Sequence, residues 1–152
     1  MKGLVLGLSL IATQLFGQTF PTISNRMYTD GSAKVVVTGV LTADTDIPIN
    51  KGASFSSGTH TWLQFGAAGG AETNALITYQ SDMKEIGISV MRGKMTLIGG
   101  ITPGEPSQCS GTVEVTPTLV AGHYTCRGIT SYDPATGKMG KADIDIRFTA
   151  KS

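Results

Sequence analysis

Charge is scarce in this chain. Asp, Glu, Lys and Arg make up 15% of its 152 residues, against about a quarter of an ordinary globular protein. Basic and acidic residues nearly balance, 12 against 11, and no block of like charge occurs. An electrostatic footprint for DNA or RNA is therefore missing, and so are the patterns of a coiled coil or a charged disordered tail. Histidine and cysteine number two each, so a catalytic triad or a zinc site has very few residues to draw on. No apolar run reaches the roughly 20 residues of a membrane-spanning helix, and no transmembrane segment is expected. Glycine is what the chain has in plenty, with 20 residues. The length suits one domain, large enough to bury a core without a structural metal.

Residues 1–17 read as a secretory signal peptide. Lys2 gives a positive start, and Leu4 to Phe16 form a short apolar run broken only by small or polar residues. Cleavage after Gly17 would leave Gln18 first, with Leu15 a less than ideal residue at the −3 position. The competing reading is a buried N-terminal strand or helix. Export to a secreted, periplasmic or cell-surface location is the expectation, and it suits an even cysteine count.

Cys109 and Cys126 are expected to form one disulfide. A hairpin turning at Pro117-Thr118 places Cys109 opposite Cys126, Gly111 opposite Tyr124, Val113 opposite Gly122 and Val115 opposite Val120. The other face collects Ser110, Thr112 and Glu114 opposite Thr125, His123 and Ala121. One register thus separates apolar from polar side chains and joins the sulfurs. A loop of this length closed by a disulfide gains roughly 3 kcal/mol.

The remainder reads as short β runs between glycine-bearing turns. Residues 18–32 form a polar N-terminal arm, and residues 33–152 a single domain. Ala33 to Leu41 is a strand, Thr42 to Lys51 a loop, and Ser54 to Phe65 one continuous strand. Gly66 to Gly70 is a flexible connection. Within residues 71–84, Ala71, Ala75, Tyr79 and Met83 recur at helical spacing, but Ile77, Thr78 and Tyr79 favour a strand over Ala75 to Gln80. Glu85 to Ile98 is a hairpin about Arg92-Gly93, pairing Val90 with Met95 and Ile88 with Leu97. A turn at residues 133–137 leads to a last strand with Ala142, Ile144, Ile146 and Phe148 on one face. The fold class is all-β: an antiparallel β-sandwich or flattened barrel of about seven strands with one disulfide.

Chemistry is sparse. Ser81-Asp82-Met83-Lys84 matches S-x-x-K by letter, but its companion motifs are absent. Asp143 and Asp145 share a strand face about 7 Å apart, a spacing glycosidases use, although such a row is normally a solvated face. Asp44, Asp46 and Asn50 offer oxygens without the turn glycine and terminal glutamate of an EF-hand loop. No catalytic, metal-binding or cofactor-binding set emerges. Trp62, the only tryptophan, shares a face with His60 and Gln64. Burial under a covering loop is its expected fate; the alternative is a platform for a sugar ring or a partner surface. Tyr124 falls on the core side, while Tyr132 borders a turn.

The expected function is an exported, non-catalytic, disulfide-stabilised module that binds a protein or glycan partner. Two alternatives stand beside it. One is a self-associating, pilus-like or filament-like subunit pairing through the N-terminal arm or an exposed edge strand. The other is a carbohydrate-active enzyme using Asp143, Asp145 or a histidine.

Overall fold

A computed structural model describes residues 23–67 and 72–152. The signal-peptide reading, the first residues of the arm and most of the Gly66 to Gly70 connection lie outside that range.

The strands are β1 (Ile23–Met27), β2 (Asp30–Gly39), β3 (Ala43–Pro48), β4 (Phe55–Gly58), β5 (His60–Phe65), β6 (Thr73–Gln80), β7 (Glu85–Arg92), β8 (Met95–Ile101), β9 (Cys109–Val115), β10 (Leu119–Asp133) and β11 (Lys138–Lys151). Sheet A has the order β1-β4-β5-β6-β7-β8, and sheet B the order β3-β2-β11-β10-β9. All pairings are antiparallel. The expected β-sandwich forms, with eleven strands among the described residues rather than about seven.

Alternation builds the core. Along β11, Ala142, Ile144, Ile146, Phe148 and Ala150 are buried while Asp143, Asp145, Arg147 and Thr149 face outward. Ala33, Val35 and Val37 of β2 fill the same layer, and Leu63, Phe65, Ile77, Ile88 and Val90 come from sheet A. Each large side chain so enclosed contributes about 1.5–3 kcal/mol. Phe148 packs on Phe65 across the sheets and on Tyr124 within its own.

The cysteine hairpin has the expected register. Cys109 pairs with Cys126, Gly111 with Tyr124, Gly122 with Val113 and Val120 with Val115, and the disulfide is formed. Residues 73–80 are a strand, as their β-branched content favours.

Four readings of the sequence need correction. The run from Ser54 to Phe65 is not one strand but the β4–β5 hairpin. Gly58, at φ 59°, takes the positive φ of a two-residue turn, and Ser57 pairs with His60. Residues 43–48, expected as loop, form β3, because Ala43 and Ile47 alternate inward with Asp44 and Asp46 outward. Its edge position tolerates Pro48. The β7–β8 hairpin turns at Gly93-Lys94, so Val90 pairs with Leu97 and Ile88 with Gly99. Gly93, at φ 59°, occupies the first central position, where a type II′ turn calls for glycine. The two-residue slip preserves every side chain's face. It also sets Gly99 over the disulfide, where a Cβ would stand 2.6 Å from Cys109 Sγ and 2.8 Å from Cys126 Sγ.

The fourth correction concerns the arm. Residues 23–27 form β1, and Asp30 already belongs to β2. The Arg26 guanidinium crosses to sheet B, donating to the Thr116 carbonyl at 2.9 Å and to that of Pro117. Tyr28 is fully buried, its hydroxyl 2.6 Å from Ser56 Oγ. These residues are built into the sandwich.

Candidate functional site

The outer face of sheet A carries a row that crosses all its strands. Met27 stands opposite Phe55, Phe55 opposite Trp62, Trp62 opposite Thr78, Thr78 opposite Gly87 and Gly87 opposite Gly100. Three large apolar side chains thus lie side by side, and the row then falls away to glycine. All three are exposed: Met27 by 48%, Phe55 by 39% and Trp62 by 43%. The loop expected to cover Trp62 is absent among the described residues.

The β4–β5 turn makes this row. Had the segment run straight, Phe55 would point opposite to Trp62. Folding back at Gly58 brings both to one face in direct cross-strand opposition, where side chains lie about 5 Å apart at Cβ.

Beside the platform lies a shallow groove of about 250 Å³, bordered by His60, Trp62, Thr78, Gln80, Glu85 and Gly87. Gly87 keeps it open: a Cβ there would come within 2.4 Å of Thr78 Oγ1. A second row, Ser57, His60, Gln80 and Glu85, runs parallel along its rim. It brings hydroxyl, imidazole, amide and carboxylate groups to the edge of an aromatic surface. Such a combination offers a flat apolar face to one side of a ligand and hydrogen bonds to its periphery.

Of the residues singled out from the sequence, His60 and Trp62 share this surface. Gln64 does not, being only 6% exposed. Its backbone N–H donates to Ser54 Oγ at 3.0 Å, and its amide nitrogen donates to the carbonyls of Phe65 and Ala75 at 3.4 Å. The outer face is closed at that end. Met27 and Phe55 are the residues that sequence reasoning missed.

The outer face of sheet B is organised by charge. Asp46, Lys34, Arg147, His123 and Thr112 form one row, and Asp44, Val36, Asp145, Thr125 and Ser110 the next. Lys34 reaches Asp44 at 2.6 Å and Asp46 at 3.5 Å. The hydrogen bond that Lys34 donates to Asp44, with the charges of both aspartates, holds the Lys34 pKa above its ordinary value. His123 Nε2 sits 3.1 Å from both oxygens of Asp145. Asp143 accepts the Gly128 N–H at 2.8 Å, at the irregularity in the β10–β11 pairing. A broad groove of about 620 Å³ crosses this face between Lys34, His123, Arg147 and Thr149. Neither Asp143 nor Asp145 lines it.

Asn50 does not join Asp44 and Asp46. Its Oδ1 accepts the Gly52 N–H and its Nδ2 donates to the Gly66 carbonyl. Among the described residues, no three His, Cys, Asp or Glu side chains converge as metal ligands, and no helix is long and apolar enough to cross a membrane. Tyr124 is fully buried and Tyr132 is 55% exposed.

Compared with known proteins, the chain matches no family model, no curated protein sequence and no solved structure.

Proposed function

We propose that this chain is an exported, non-catalytic binding module whose ligand is a glycan, held on the outer face of sheet A. The observation that carries the proposal is the exposed row Met27, Phe55 and Trp62, ending at the glycine-floored groove beside Trp62. A sugar ring has an apolar face formed by its C–H groups and a periphery of hydroxyls. The indole meets the first, and His60, Gln80 and Glu85 are placed for the second. The intact disulfide and the apolar run of residues 4–16 support the export half of the reading.

Titrating the mature chain with cello-, chito- and manno-oligosaccharides while following Trp62 fluorescence tests the site directly. As the only tryptophan, it reports without ambiguity. A saturable change lost in Trp62→Ala is the expected result. Binding that survives that substitution, or no response across the series, overturns it. Export is checked separately by expressing the full-length chain in a secreting host. Recovery outside the cytoplasm with an N-terminus at or near Gln18 is expected; retention inside with Met1 intact refutes export.

A further inference from the structure

Each sheet of an open sandwich ends in two edges, and an exposed edge is a template for another strand. Three of the four edges here are obstructed. In sheet B, β3 ends in Pro48, which has no N–H and whose carbonyl accepts the Gly66 N–H at 2.9 Å. Asp44 and Asp46 add carboxylates along the same strand. In sheet A, β1 is five residues long and its pairing is irregular between Ile23 and Arg26. Along β8, the carbonyl of Thr96 accepts from Ser131 Oγ at 2.8 Å, and that of Gly100 from Ser107 Oγ at 2.5 Å.

Among the described residues, the β9 edge has no such protection. Backbone bonds at both ends of the β9–β10 hairpin fix which residues face the neighbour: Thr116 N–H donates to Leu119, and Arg127 N–H to the Gln108 carbonyl, each at 2.8 Å. Even-numbered residues therefore bond to β10, and Gly111, Val113 and Val115 turn their N–H and C=O groups away from it. None of these groups has a hydrogen-bond partner among the described residues. The strand carries one charge, Glu114, and no proline or lysine.

We propose that two copies of this chain pair antiparallel through β9 about a two-fold axis at Thr112, joining two five-stranded B sheets into one continuous sheet. The sequence of β9 is complementary to itself in this register. Gly111 lies opposite Val113, so the free backbone groups bond to each other and the valine meets no competing side chain. Ser110 lies opposite Glu114, setting a hydroxyl against a carboxylate, and Thr112 meets its own copy. No charge opposes its like. Loss of Lys2 with the signal segment leaves 11 basic residues, from 12, against 11 acidic ones, so the two copies carry no net repulsion. Because a two-fold pairing uses the β9 edge of both copies, it closes at two and does not extend into a filament. The glycan platform lies on the other sheet and stays free.

Sedimentation velocity of residues 18–152, disulfide intact, over a dilution series is the test. A dimer that dissociates on dilution is expected. Val113→Pro removes one outward N–H from each copy, and the two lost hydrogen bonds raise the dissociation constant about thirty-fold. Thr112→Asp, at an exposed side chain, sets a carboxylate against its symmetry mate and also dissociates the dimer; it keeps the test decisive if Val113→Pro does not fold. Thr112→Cys forms a covalent dimer on mild oxidation, whereas Glu114→Cys, opposite Ser110 and not itself, does not. A monomer at every concentration, including one that captures a strand from a different protein, overturns the proposal. So does a dimer that Val113→Pro and Thr112→Asp leave intact. Trp62→Ala leaves the dimer unchanged, which separates this result from glycan binding.

Discussion

The outer faces of the two sheets are built by the same alternation yet are finished differently. On sheet B, Lys34 is held by Asp44 and Asp46, His123 by Asp145, and Asp143 by the Gly128 backbone. These polar groups each have a partner on the same face. On sheet A, Met27, Phe55 and Trp62 present broad apolar surface that nothing in the described fold covers. A low-charge chain with its polar groups paired on one side and its aromatics uncovered on the other has divided its surface into a polar face and an exposed apolar face. The contrast rests on partners, not on burial alone, since residues on both faces are substantially exposed.

The largest effect belongs to neither outer face. Ile146→Ala empties a fully buried position on the inner side of β11 and costs about 2–5 kcal/mol, measured by urea denaturation. Next comes the proposed binding face. Trp62→Ala weakens glycan binding about tenfold or more, while stability falls by less than about 1 kcal/mol because only a cross-strand pair is lost. A collapse of the fold in that variant would erase the distinction between the faces.

A smaller effect of opposite sign is expected at Tyr124, whose buried hydroxyl has no hydrogen-bond partner among the described residues. Tyr124→Phe stabilises by about 1 kcal/mol, because an unsatisfied buried polar group is removed. Burial also raises the Tyr124 pKa, with Tyr79 adding to the shift. Above about pH 10 the unfolded phenol ionises while the folded one stays neutral. The wild type therefore loses stability as pH rises through that window, and Tyr124→Phe flattens this contribution to the slope. The smallest effect is that of Lys34→Met on sheet B, an exposed ion pair in water. Its denaturation midpoint near neutral pH stays within experimental error of the wild type, and glycan binding is unchanged.

The parts of the fold legible in the sequence are those fixed by two independent constraints. In the β9–β10 hairpin, sulfur pairing and the sorting of valines from threonines select one register. In β7–β8 only the turn glycine was available, and Gly93 fits either central position by composition, so the register slipped by two. The β4–β5 turn was hidden because Gly58 sits among serine, threonine and histidine, where no apolar run is interrupted. Asp44, Asp46 and Pro48 made a true edge strand resemble a loop. The site was legible in the same uneven way. Parity placed Trp62 with His60, but Phe55 joins them only once the chain reverses at Gly58. Gln64 shares that parity, yet Ser54 and the segment from Asn50 close over it, a long-range contact without a local signature.

The contact between Gly99 and the disulfide gives the cross-link a role in how the two sheets stack. The covalent bond lies within sheet B, but its sulfurs form part of the surface on which β8 of sheet A comes to rest. Any side chain at position 99 would occupy the space those sulfurs hold. The hairpin from Cys109 to Cys126 spans a sequence separation of 17 and can be closed locally, whereas stacking the sheets requires distant parts of the chain to meet. Joining the two cysteines thus completes the seat on which β8 rests, and at position 99 that seat admits only a glycine.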